Sequence, residues 1–260
     1  MSTGQVNVLN RHAGDATRAG FLEERADLAA AFRWAVRMDL HEGVANHFSL
    51  AVSECGSRFL VNPNQRHFSL IRSSDLLLID ANDADVMRRA DAPDPTAFGL
   101  HGSIHRRCPN ARCVMHVHSV HATVLACLED SNLPPIDQNT AMFFGRTVID
   151  ETYGGLAFEA EGERCADLLN RSDAKVMIMG NHGIMVIGKT VAETFDRLYY
   201  FERAAQTYIK ALMTGRPLRV MSDELARRVS NEIAEYPGSA DRHFTDLKEI
   251  LDRESPDYRD

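Results

Sequence analysis

Ala111-Arg112-Cys113-Val114-Met115-His116-Val117-His118 is an apolar run that closes on two histidines separated by a single valine. A short apolar run of this kind predicts a buried β-strand. Successive strand side chains point to opposite faces, so His116 and His118 share one face while Met115 and Val117 take the other. Two neutral imidazoles on one face can grip one ion. Further along, Gly180-Asn181-His182-Gly183 interrupts two β-like runs, 175–179 and 184–187, and its Asn and Gly suit the positive φ values of a tight turn. A third imidazole from that turn gives a three-histidine set with coordination positions left open, as catalytic rather than structural metal sites have. The expected ligands are therefore His116, His118 and His182. The expected ion is divalent, with Zn²⁺ favoured and Mn²⁺, Fe²⁺ or Co²⁺ also compatible with three imidazoles.

Around this pair the chain alternates helical and strand signals. A helix is predicted over 21–40, with Leu22, Ala29, Phe32, Val36 and Leu40 at helical spacing and Gly43 as stop. Strands are predicted over 46–52 and 58–61, joined by Glu54-Cys55-Gly56-Ser57, and over 76–79. Asp94 before Pro95 reads as an N-cap with proline at the first helical position, opening a helix to about residue 107. Ser119 is placed to cap a short helix through residue 127. Residues 147–149 suit a strand, and 161–169 a helix. Thr190 with Glu193 forms a capping-box pattern ahead of a long amphipathic helix that Gly215 and Pro217 end. The predicted fold is a three-layer α/β/α sandwich around a mixed, largely antiparallel sheet. Residues 1–20 are polar and read as a flexible segment, 21–215 as the domain, and 216–260 as a charged tail that either packs on a neighbouring subunit or stays mobile.

Composition narrows the function classes. The 260 residues are 44% hydrophobic and 25% charged, with a formal net charge of -8. An acidic balance of this kind argues against a nucleic-acid footprint or an anionic membrane surface, and leaves small molecules or proteins as partners. No cationic leader and no apolar run of membrane-spanning length is visible, so a soluble cytoplasmic protein is expected. The five cysteines include no C-x-x-C pair, which speaks against a disulfide framework or a thiolate zinc knuckle.

Four segments occur in order: Val44-Ala45-Asn46-His47-Phe48-Ser49; Leu100-His101-Gly102-Ser103-Ile104-His105, followed by Pro109; Val114-Met115-His116-Val117-His118-Ser119; and Gly180-Asn181-His182-Gly183. Together they resemble the class II aldolase/adducin superfamily over about residues 21 to 215. The resemblance implies an α/β/α sandwich, usually a homotetramer with sites near subunit contacts, and a divalent ion on histidines matching His116, His118 and His182.

Three departures bear on chemistry. The glutamate that serves sugar-phosphate aldolases as base falls at Ala97, the proton-donating tyrosine at Gln138, and the phosphate-cradling Thr-Gly element at Asn64-Gln65, while Asn46 of the other phosphate loop remains. An alanine cannot move a proton. The expectation is thus a metal-dependent lyase that cleaves a carbon-carbon bond in a small oxygenated carboxylate, decarboxylase-like or aldolase-like, because loss of CO₂ supplies an electron pair without prior deprotonation. The alternatives are an adducin-like binding module without catalysis, and a sugar-phosphate aldolase with a substitute base. His101, Gln138 and Tyr153 are candidate catalytic residues, and Asn46, Asn64 and Arg66 candidate substrate contacts. His101 and His105 lie one helical turn apart and serve either the site or packing. His121, one turn after His118, is placed to orient a ligand.

Overall fold

The structure, a computed structural model, describes residues 20–152, 155 and 159–260. Tyr153 and almost all of the expected flexible N-terminal segment lie outside those residues. Seven strands form one sheet: β1 (His47–Ala51), β2 (Arg58–Val61), β3 (Leu77–Asp80), β4 (Cys113–Val117), β5 (Thr147–Asp150), β6 (Val176–Met179) and β7 (Gly183–Gly188), in the order β3-β2-β1-β4-β7-β6-β5. Every pairing is antiparallel except β5 with β6. This is the mixed, largely antiparallel sheet that the short turns and helical crossovers imply.

Eight α-helices among the described residues cover the sheet: α1 (Leu22–Arg37), α2 (Pro95–Arg107), α3 (Val120–Ala126), α4 (Gln138–Met142), α5 (Glu159–Asn170), α6 (Val191–Met213), α7 (Asp223–Glu235) and α8 (Ser239–Glu254). Strand alternation sorts the core into layers. Phe48, Leu50, Cys113, Met115, Val117, Ile184 and Val186 pack with α1, α3, α6 and α8 on one face. Val114, Met185 and Ile187 pack with Leu100 and Ile104 of α2 and with Cys165, Ala166 and Leu169 of α5 on the other. Three layers result, as strands with two apolar faces require.

Local signals behave as their chemistry dictates, with exceptions. Asp94 Oδ1 accepts from the backbone N–H of Thr96 at 2.8 Å and Ala97 at 3.4 Å, capping α2 behind Pro95. At α6 only half of the expected capping box forms: Thr190 accepts from Glu193 N at 3.1 Å, while the Glu193 carboxylate accepts from Lys189 N at 2.6 Å. Asp39, at φ 56, ends α1 at Arg37, short of the predicted residue 40.

Residues 216–260 depart most from the tail expected of them. They form α7 and α8, and Phe244, Leu247, Leu251 and Tyr258 enter the same core as α1 and α6. The indole N–H of Trp34 donates to the Leu247 carbonyl at 2.9 Å, and Lys248 pairs with Asp27 at 2.6 Å. The core therefore continues past residue 215.

Candidate metal centre

β4 is the central strand, and His116 stands opposite His47 of β1 and Met185 of β7. His118 follows the last residue of β4. His182 closes the β6–β7 turn, where its N–H donates to the Met179 carbonyl at 3.0 Å and Asn181 takes φ 57. The three rings converge, with centroid separations of 4.8, 4.7 and 4.8 Å. One nitrogen from each lies within 4.8 Å of the others.

Hydrogen bonds to the outer nitrogens fix which atoms are left for an ion. His116 Nδ1–H donates to the Ile184 carbonyl at 2.9 Å, and His118 Nδ1–H donates to the Glu42 carboxylate at 2.5 Å. His116 Nε2 then carries a lone pair, and His118 Nε2 faces it at 3.0 Å, close enough to share a proton or to join it on one ion. Two imidazole nitrogens so close are also where one ion would take them, since Zn–N bonds of about 2.0–2.1 Å would set such nitrogens about 3.3 Å apart. Burial, reinforced by His118 and His182, pushes His116 well below the ordinary histidine range, and burial with His118 beside it pushes His182 down to about 4. Neutral imidazoles are what a divalent ion needs. The donor set fits such an ion.

A second group, Asp150, Glu161 and Cys165, also lies close enough to hold a metal. Its carboxylates are already occupied: Arg164 bridges both Asp150 oxygens at 2.6 Å and Glu161 at 2.5 Å. The guanidinium supplies the positive charge there.

Beneath the cluster the sheet face facing α2 continues in polar residues. His47 stacks on His116 at 5.9 Å, with its Nε2 3.5 Å from Thr96 Oγ1 and 3.7 Å from Asp94. Burial brings His47 down to about 4, partly offset by Asp94. Deeper still, the Ala111 carbonyl accepts from His105 Nδ1–H at 2.8 Å. His105 Nε2 must then accept the Ser49 hydroxyl at 2.7 Å, and Ser49 Oγ must accept from His101 Nδ1–H at 2.6 Å. His101 is left with a bare Nε2 that is buried without a hydrogen-bond partner.

Sequence candidates separate accordingly. His101 lies wholly buried under the site, reached only through its neighbours. Asn46 is buried and accepts from Glu42 N at 2.6 Å, so it shapes the turn that carries Glu42. Asn64 and Arg66 sit in an exposed loop, with Arg66 turned to the Leu70 carbonyl at 3.4 Å. Gln138 opens α4 and lines a cavity of about 490 Å³ with Arg146, Arg197 and Tyr236, a wall that includes none of the three histidines. Ala97 is buried among Phe59, Val61, Ile79 and Val86. Glu42 was not foreseen, because Gly43 read only as a helix stop; its φ of 54 marks the turn that aims Glu42 at His118.

The family model for the class II aldolase and adducin N-terminal domain matches residues 26–209. The chain belongs to that family. Among similar proteins, decarboxylase NovR of Streptomyces niveus is 26% identical over 222 residues, covering 83% of this chain and 81% of that protein. Human beta-adducin is 26% identical over 176 residues, covering 65% of this chain and 23% of the adducin. An aldolase II superfamily protein from Pseudomonas syringae has the same fold, with TM-score 0.83 at 28% identity over 96% of this chain and 100% of that one. This class II aldolase/adducin domain thus has both a decarboxylase and an adducin among its relatives, and its own side chains must decide between them.

Proposed function

We propose that the chain is a metal-dependent carbon-carbon lyase, decarboxylase-like rather than phosphosugar aldolase-like, acting on a small oxygenated carboxylate. The observation that carries this reading is the convergence of His116, His118 and His182, with the Nε2 atoms of His116 and His118 facing each other at 3.0 Å. A binding module has no need of three converging imidazoles. A divalent ion, most favourably Zn²⁺, supplies when bound a Lewis acid for a carbonyl or carboxylate oxygen.

The chain's own residues do the rest. Glu42 holds the His118 proton on Nδ1, so that Nε2 stays a donor of electron density. Ile184 does the same for His116 through its backbone carbonyl. The methyl of Ala97, the position that the resemblance aligns with the base of the family's aldolases, sits in an apolar cluster. Loss of CO₂ breaks a carbon-carbon bond and leaves its electron pair on the substrate, so no residue has to remove a proton first. The decarboxylase name carried by a relative agrees with that economy.

The same reading includes a homo-oligomer, most favourably a tetramer, as the family resemblance implies. It also includes a soluble, cytoplasmic setting: the five cysteines are all unpaired, which suits a reducing compartment. No helix among the described residues is long and apolar enough to cross a membrane.

Elemental analysis of protein purified without chelator should find one divalent ion per chain, lost in His118→Ala. Metal-loaded protein should release CO₂ from members of a panel of hydroxy- and oxo-carboxylates, and His118→Ala should not. Efficient aldehyde release from fuculose 1-phosphate, abolished in His118→Ala, would instead show an aldolase with a substitute base. Partner capture that survives metal removal, with inactivity on both panels, would favour the adducin-like module.

A further inference from the structure

Ser119 follows His118 and is the N-cap of α3, and a serine there ordinarily accepts from the backbone N–H two or three residues on. This one does not. Its hydroxyl donates to Glu202 Oε2 at 2.7 Å. The N–H groups of His121 and Ala122, the ones a capping serine would serve, donate to Glu202 Oε1 and Oε2 at 3.0 Å each, and His121 Nδ1–H donates to Oε1 at 2.8 Å. One carboxylate from α6, 8% exposed, receives four hydrogen bonds from a single turn. Phe201, Ala204 and Ala205 around it are fully buried. A carboxylate in that setting is tolerable only because these donors saturate it.

We propose that Glu202 is a positioning residue of the metal centre: it clamps the turn 119–122, so that His118 presents its Nε2 3.0 Å from that of His116. The inference rests on reading the three histidines as a metal site. Without the carboxylate, two backbone donors and the serine hydroxyl lose their acceptor together. The hydroxyl is then free to turn back onto the Ala122 N–H as an ordinary cap, and the turn that follows His118 loses its tie to α6. His121, expected to orient a ligand directly, acts here by holding Glu202.

The test compares wild type, Glu202→Gln and Glu202→Asp with Thr190→Ala, which removes the side-chain cap at the start of the same helix. Three quantities are read: Zn²⁺ affinity against a competing chelator, the visible spectrum of the Co²⁺-loaded protein, and thermal unfolding of the metal-free protein. Glu202→Gln should bind Zn²⁺ about 10- to 100-fold more weakly and shift the Co²⁺ spectrum. Thr190→Ala should lose thermal stability with affinity and spectrum unchanged. Glu202→Asp keeps the charge with a shorter reach and should fall between wild type and Gln; it also decides the matter if the Gln variant does not fold. Wild-type affinity and spectrum in both Glu202 variants, or an equal loss of affinity in Thr190→Ala, overturns the proposal. Failure of wild type itself to bind Zn²⁺ or Co²⁺ would instead overturn the metal reading beneath it.

Discussion

Gly183 illustrates how far the centre depends on a single atom. A Cβ there would stand 2.5 Å from the Val117 carbonyl oxygen and 2.8 Å from His118 Cδ2. The turn bearing His182 can approach β4 only because that atom is missing. Gly183→Ala should therefore reduce metal content well below one ion per chain and destabilise the protein by about 1–3 kcal/mol, as measured by elemental analysis and by the urea midpoint of metal-free protein. At this scale the sequence was informative where chemistry sits on a regular period. The one-residue spacing of His116 and His118 and the Asn-His-Gly turn announce themselves locally. Glu42 and Glu202 do not, since each owes its role to a neighbour distant in the chain: His118 and the turn after β4.

Among the elements, α8 shows what local pattern misses. Phe244, Leu247 and Leu251 follow helical spacing within a strongly charged segment, so the apolar stripe is narrow and its partner invisible. That partner is formed by α1 and α6, which contribute Trp34 and Phe195 among others. Leu251 is fully buried. Leu251→Ala should cost about 2–5 kcal/mol in chemical denaturation, while an exposed position of the same helix such as Glu249→Ala should cost under about 0.5 kcal/mol. Ser119 gives the converse lesson. Its residue type correctly marked a helix start, yet the capping bond came from Glu202, because a buried carboxylate outcompetes a serine hydroxyl for the same donors. Strands β4, β6 and β7 were legible for a simpler reason: each of these apolar runs is buried on both faces.

For the molecule as a whole, the histidines tie stability to pH. Burial brings His105 down to about 4 and His101 well below its ordinary range. His105 faces Ser49, the Ala111 carbonyl, Phe59 and His101, none of which offers a negative charge. The folded-state value lies below the unfolded one of about 6.5, so the unfolded chain takes up protons first. Stability is complete above pH of about 6.5 and falls as pH drops toward 4, by on the order of 3 kcal/mol for His105 alone. Urea titrations of metal-free protein at pH 7 and pH 4.5 should show this loss, and His105→Gln should remove part of the slope. A pH-independent midpoint would contradict it.

The placement of the ligands on β4 and in the β6–β7 turn also sets an order of events. During synthesis His116 and His118 leave the ribosome together, well ahead of His182, and their strand must still wait for β7 to form the ladder Cys113↔Gly188 through Val117↔Ile184. Pairings between distant segments are slow to form because loop closure precedes their reward. On the proposed metal reading, a nascent chain thus carries only two of the three imidazoles. An ion held by all three would then mark the completion of the sheet rather than its beginning.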